Sequence, residues 1–189
     1  MAEMLYNVVM THRNQILKTD SLNYDRLYNV SYYFEGGRLI DGTSVLESDW
    51  GEYHTDTKQS VFNYNVVLTD EDFKLVTDTL HYDTQTKWSK AIGPTNIYSN
   101  GDRIYTELGY YNTQSEQARL YDRSMAFGRD RIMSGDTVYY DKTTGMMEAF
   151  NNISCEDTKN KNILTGDYCI YFEQTGEYVL ILGVFAGDV

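Results

Sequence analysis

Six carboxylates recur along the chain, each followed four residues later by a tyrosine: Asp20/Tyr24, Asp49/Tyr53, Asp78/Tyr82, Glu107/Tyr111, Asp136/Tyr140 and Asp167/Tyr171. A ladder of acids could hold calcium, which takes hard oxygen ligands. Calcium-binding β-roll repeats, however, are much shorter and need several Asp and Gly per turn. Here one acid recurs every 29 residues, with a last interval of 31. That spacing points instead to a structural hydrogen bond at a strand start or turn. The remaining reactive side chains form no recognisable site. His12, His54 and His81 share no ligand spacing, and Asp70-Glu71-Asp72 has the character of a solvated turn. Cys155 and Cys169 form no CxxC, which argues against zinc, and they are too few for a disulfide framework. They fit small buried apolar positions. No GxSxG, Walker loop or HExxH occurs. An acid pair meeting in a groove would suit glycosidase work, but no motif selects one. The expectation is a protein that is not an enzyme and needs no cofactor or metal.

The positions around each acid are also repeated. Three residues before it lies an apolar side chain: Leu17, Leu46, Leu75, Ile104, Met133, Leu164. The residue just before it is small: Thr19, Ser48, Thr77, Thr106, Gly135, Gly166. Four residues after the tyrosine, Thr57, Thr86, Ser115, Thr144 and Thr175 sit in polar clusters that have turn chemistry. Tyr6-Asn-Val-Val and Tyr64-Asn-Val-Val are matching apolar segments, each 14 residues before an acid. The unit starting at Asp20 departs from the pattern around Glu35-Gly-Gly-Arg38, which suggests a shorter first turn balanced by a longer second one.

About 29 residues accommodate two strands of 8 to 10 residues and two turns. The segments are rich in Tyr, Val and Ile, and Ser99-Asn-Gly-Asp102 is a hairpin signal. No i, i+3, i+4, i+7 apolar stripe is present, so almost no helix is expected. The predicted fold is all-β: an elongated antiparallel array of two-strand repeats, residues 1–189 forming one domain. Because the first unit starts part-way through and Leu180–Phe185 does not resume the pattern, the chain is expected to be a segment of a longer repeat protein. Residues two and four positions after each acid share a strand face, and that face is the apolar one; it is expected to line the interior.

Composition narrows the partners. The net charge of −12 disfavours nucleic acid and anionic membranes, which need clustered Lys and Arg. The longest apolar run, Tyr178–Phe185, is far short of the ~20 residues of a membrane-spanning helix. Arg119, Arg123, Arg129 and Arg131 form a loose cluster that fits solvated surface arginines. The first residues carry no signal peptide.

Leu75-Val-Thr-Asp-Thr-Leu-His-Tyr-Asp83 and Met133-Ser-Gly-Asp-Thr-Val-Tyr-Tyr-Asp141 resemble the OstA/LptA repeat, and Glu148-Ala-Phe-Asn-Asn-Ile153 is similar to that family's Ala-(Gly/Asn)-Asn-Val segment. Ser21-Leu-Asn-Tyr-Asp25 and Val61-Phe-Asn-Tyr-Asn-Val66 resemble the OstA-like proteins of the Bacteroidetes. The resemblance covers roughly residues 6 to 175. It implies a β-jellyroll trough in the periplasm that carries lipopolysaccharide towards the outer membrane. Its partners would be the lipid A acyl chains, and other Lpt-type jellyroll proteins or itself through edge strands. Strand parity then nominates Leu80, Tyr82, Tyr111, Val138, Tyr140, Val66, Leu68, Ile97 and Ile153 as trough-lining. Acyl burial of about 0.8 kcal/mol per CH₂ would hold the lipid. Two alternatives stay open: a structural or adhesive β-repeat with a filled core, and a carbohydrate-acting enzyme on a parallel β-helix.

Overall fold

The computed structural model describes residues 2–71, 73–99, 101–172 and 174–181. No described residue is helical, and no helix is long and apolar enough to cross a membrane. The strands are β1 (Ala2–His12), β2 (Gln15–Asp25), β3 (Val30–Tyr33), β4 (Gly37–Asp41), β5 (Ser44–Ser48), β6 (Trp50–His54), β7 (Gln59–Thr69), β8 (Phe73–Asp83), β9 (Trp88–Ser99), β10 (Asp102–Asn112), β11 (Gln117–Phe127), β12 (Arg131–Asp141), β13 (Met146–Asp157), β14 (Asn162–Phe172) and β15 (Glu177–Ile181). All pairings are antiparallel and belong to one sheet. β3 and β4 both pair with β2, and β5 and β6 both pair with β7. Each couple is therefore one long strand interrupted in the middle. Treated that way, the fifteen elements become thirteen strands in a plain meander.

Each long strand is bent at its centre. Residue pairs at 6/7, 35/36, 64/65, 93/94, 122/123 and 151/152 are 29 apart, and each lies where pairing breaks or slips. Left-handed φ marks them: Tyr6 and Asn7 (64° and 53°), Gly36 (84°), Tyr64 and Asn65 (65° and 53°), Gly93 (88°), Asp122 and Arg123 (57° and 62°), Asn151 and Asn152 (60° and 51°). Such bulges bend a strand and strengthen its twist. The repeated acid sits opposite. Between Asn63↔Thr79 and Val66↔Thr77, for example, Tyr64-Asn65 faces only Asp78.

This placement corrects the expectation of a strand-start role. Asp78 is the sixth residue of the eleven in β8. The acids point outward and satisfy the bulges: Asn7 N donates to Asp20 Oδ1 (3.0 Å), Asn65 Nδ2 to Asp49 Oδ2 (2.7 Å) and Asn152 Nδ2 to Asp136 Oδ2 (2.6 Å). The small residue before each acid points inward. Where it carries a hydroxyl, that group donates to the carbonyl two residues on: Thr19 to Ser21 O (3.1 Å), Ser48 to Trp50 O (3.0 Å), Thr106 to Leu108 O (3.2 Å). Thr77 also meets Thr95 across the strands (2.8 Å), and Thr106 meets Ser124 (3.2 Å). Small-plus-acid is thus the signature of a corner: a carboxylate lies on the outside, and in the four corners from Thr19 to Thr106 a hydroxyl ties the inside.

The unit from Asp20 is more regular than its sequence suggests. Its turn, residues 26–29, matches those at 55–58, 84–87, 113–116 and 142–145 in length. The irregularity is a strand break at 34–36, the same corner as elsewhere. The turns also bond to one another: Thr55 N to Asn29 O, Thr84 N to Lys58 O and Thr113 N to Lys87 O, at 2.9 to 3.0 Å, and Lys142 N to Glu116 O at 3.2 Å.

The corners together make a ridge, and the sheet folds along it into two limbs whose inner faces meet. One core joins both limbs: Leu17, Leu46 and Val66 from one, with Leu22, Tyr33, Phe62, Leu80 and Ala91 from the other. A smaller core of Ala149, Ile153 and Cys169, with Met133, Val138 and Cys155 against it, does the same further along. The hairpin at Ser99–Asp102 forms as expected, with Asn100 outside the described residues. Leu182–Phe185 also lie outside them.

Candidate functional site

The inner face consists of in-register rows that run along the array, across the strands. On one limb, Met10, Leu17, Leu39, Leu46, Leu68, Leu75, Ile97, Ile104, Ala126, Met133, Cys155 and Leu164 are consecutive partners from β1 to β14. Every member is apolar. On the other limb, next to the ridge, runs Tyr33-Gly51-Phe62-Leu80-Ala91-Gly109-Leu120-Val138-Ala149-Cys169. Further out, the repeated tyrosines alternate with smaller side chains: Tyr24, Ser31, Tyr53, Ser60, Tyr82, Ser89, Tyr111, Ala118, Tyr140, Met147, Tyr171. Strands lie about 4.8 Å apart, so these rings recur roughly every 9.6 Å.

The nine nominated residues all fall on these inner faces but at two depths. Val66, Leu80 and Ile153 are 0 to 2% exposed and are packed into the corner. Tyr82, Tyr111, Val138, Tyr140, Leu68 and Ile97 are half-buried, facing the space between the limbs. Of the row from Leu17 to Leu164, only Leu68 and Ile97 were nominated by strand parity; the members three before each acid were not. Its residues at −3 alternate correctly only up to the corner, where the bulge reverses which parity points inward. The signal was nevertheless present, as the apolar position three before each acid.

Burial raises the pKa of Tyr111 and, more strongly placed in the core, of Tyr33, whose hydroxyl bonds Ser48 Oγ at 2.6 Å. Burial, then the neighbouring Cys155, pushes the Cys169 thiol up to about 11, and burial raises Cys155 too. Both are free thiols in the second core. Among the described residues no three His, Cys, Asp or Glu side chains cluster as a metal site. Asp70 bonds the hydroxyls of Thr43 and Ser44, and His54 contacts Glu52 at 2.9 Å.

Both ends of the array are open among the described residues. β1 pairs only with β2 and exposes Met4, Leu5, Val9 and Met10. β15 pairs only with β14, and Ile163, Phe172 and Val179 are exposed there. An unpaired edge with apolar side chains is a template for another strand.

Residues 1–78 match the family of OstA-like proteins. That match covers less than half of the chain. It runs from β1 to the ridge residue of β8 and so contains the corners at Asp20, Asp49 and Asp78. Beyond it the 29-residue spacing continues through Glu107 and Asp136. Among solved structures, that of LptH from Pseudomonas aeruginosa, described as the LptA-homologous periplasmic component of the lipopolysaccharide transport device, is similar. It aligns with a TM-score of 0.48 and 16% identity over 66% of this chain and 82% of that one. No curated protein matches the sequence.

Proposed function

We propose that this chain is a periplasmic lipopolysaccharide-transport module that shelters acyl chains between its limbs. The observation that carries this reading is the unbroken apolar row from Met10 to Leu164, facing a row of half-buried tyrosines. Beyond the end filled by Tyr33 and Phe62, a row that continues from strand to strand as far as β14 lets a chain lie along the array without meeting a polar step. The OstA-like segment supports the same role. The nine nominated residues are its contact set, the half-buried six directly and Val66, Leu80 and Ile153 as the floor beneath them. The open edges at β1 and β15 suit stacking with another jellyroll protein or a second copy, within a longer repeat protein.

Photo-crosslinking residues at Tyr82, Ile97 and Tyr140 should capture lipopolysaccharide in cells, whereas one at Val76, on the outside of its limb, should not. Equal capture at Val76, or none at any inner position, would sink the transport reading. Light scattering should show growth in mass with concentration; a strict monomer at high concentration removes the stacking part.

A packed structural repeat is the second reading, favoured by Tyr33 and Phe62, which fill the trough near its N-terminal end. It predicts no capture at Tyr140 either.

A further inference from the structure

The outer face of the tyrosine-bearing limb carries a second aromatic system, in which Tyr110, Tyr139 and Tyr168 are 29 residues apart, as are Tyr121 and Phe150. Tyr110, Tyr121, Tyr139, Phe150 and Tyr168 form a chain of ring contacts with centroids 5.9, 6.3, 5.5 and 5.1 Å apart. At its N-terminal end lies a cleft of about 410 Å³ lined by Trp88, Leu108, Tyr110, Arg119 and Tyr121. It is a groove open to solvent, not an enclosed cavity.

One cation lines this cleft and a second flanks it. The Arg119 guanidinium lies 5.2 Å from the Trp88 ring centre, and Lys90 Nζ lies 5.5 Å from that of Tyr110. No carboxylate lines the cleft. Two other cations do pair with acids, Arg38 with Glu47 (3.3 Å) and Lys142 with Glu116 (3.1 Å). Arg119 and Lys90 have no ion pair or side-chain hydrogen bond to any described residue. In a chain of net charge −12 this is a local positive site whose N–H donors are unused by the protein. Ring stacking fixes where those donors are, which lowers the ordering cost of binding.

We infer that this cleft binds an anionic saccharide, with a sugar ring lying on Trp88 and Tyr110 and its carboxylate or phosphate on Arg119 and Lys90. An aliphatic chain would leave both cations without a counter-charge. A nucleic acid would meet repulsion from the rest of the surface. The site lies on the opposite face of the sheet from the trough, so it stands or falls independently of lipid transport.

The two tryptophans, Trp50 and Trp88, allow a direct test. In a Trp50→Phe background, Trp88 emission is followed during titration with a glucuronate-containing disaccharide, glucose 6-phosphate, a neutral disaccharide and intact lipopolysaccharide. Saturable shifts with the anionic sugars, absent with the neutral one, are expected. Arg119→Ala should weaken them at least tenfold, Arg119→Lys should restore part of the affinity, and added salt should weaken binding. If lipopolysaccharide also shifts Trp88 and Arg119→Ala weakens that response, the saccharide recognised includes a lipid-linked headgroup. No saturable shift with either anionic sugar overturns the inference, as does an equal shift with the neutral sugar. A response confined to lipopolysaccharide and indifferent to Arg119→Ala assigns that lipid to the trough and overturns the cleft as well.

Discussion

The two ends of the trough are built from one unit yet packed differently. Near the N-terminus, Tyr33 and Phe62 point inward, and the Tyr33 ring lies over the glycines at 37 and 51. A Cβ on Gly51 would come within 2.5 Å of that ring, so the glycine is what makes room for it. Towards the C-terminus the same row carries Gly109, Leu120, Val138, Ala149 and Cys169 and no aromatic ring. The corners differ too: hydroxyls tie those at Thr19, Ser48, Thr77 and Thr106, whereas Gly135 and Gly166 offer none, and Ile153 packs there. The corner geometry is thus independent of what fills the trough. One periodic backbone can carry a plugged end and an open end.

The largest test of that contrast is at the plugged end. Tyr33→Ala should cost about 3–5 kcal/mol, as for other large-to-small core changes, seen as a lower midpoint in urea. A loss below about 1 kcal/mol would mean that this end is not packed.

At the open end the same logic runs in reverse. Ala118 lies between Tyr111 and Tyr140 and is half-buried. Ala118→Trp should fill that gap and reduce lipopolysaccharide capture at Tyr140 about tenfold, with circular dichroism unchanged. Undiminished capture would place the lipid elsewhere.

The corners give a smaller effect. Thr106→Val removes a buried donor to Leu108 O and Tyr121 O, for a loss of about 1–3 kcal/mol. Gly135→Ser should change stability by less than about 1 kcal/mol, since a Cβ there meets only ordinary contacts with Ala149 and Ile153 at 3.6 Å. Equal losses at both sites would erase the distinction between the two kinds of corner.

The smallest effect is electrostatic. Backbone N–H groups of Thr86 and Gln85 hold Asp83 below the usual carboxylate range, and that of Thr144 does so for Asp141. A lowered folded pKa adds stability above the ordinary carboxylate pKa, and that share is lost as pH falls through the folded value. Midway between them in sequence, Asn112 accepts the same bonds from Gln114 and Ser115 without a charge. Asp83→Asn should therefore flatten the acid limb of the stability profile while changing little at pH 7. An unchanged acid limb would dissociate that turn from acid unfolding.

Much of the fold was legible because the molecule is periodic. The acid, the small residue before it and the tyrosine after it each occupy one structural role, so their spacing exposed the strands, the turns and the inner tyrosine row. The corners were harder to see. Their bulge residues are Tyr-Asn, Glu-Gly, Tyr-Asn, Gly-Pro, Asp-Arg and Asn-Asn, which share mainly the tolerance of Asn, Gly and Asp for left-handed backbone. The apolar row at −3 was visible as a pattern but not as a surface, because the corner reverses its parity. The outer cleft left only a partial periodic trace: Tyr110 and Tyr121 recur 29 residues on as Tyr139 and Phe150, whereas Trp88 and Arg119 have no counterpart there. Trp88, Tyr110, Arg119 and Tyr121 come from three strands and different points of the unit, and only the register brings them together.

The bonded series of turns has a consequence for how such a chain can change its size. Each turn holds only the next, through the same bond repeated at a distance of 29 residues. Insertion of one whole unit would therefore satisfy every junction that existed before, and would lengthen the molecule by two strands, about 9.6 Å. A partial insertion would put a corner opposite a straight segment and break the series. Reach across a gap is then adjustable only in whole steps, so that gene duplication, and not gradual loop growth, sets how far a molecule of this kind extends.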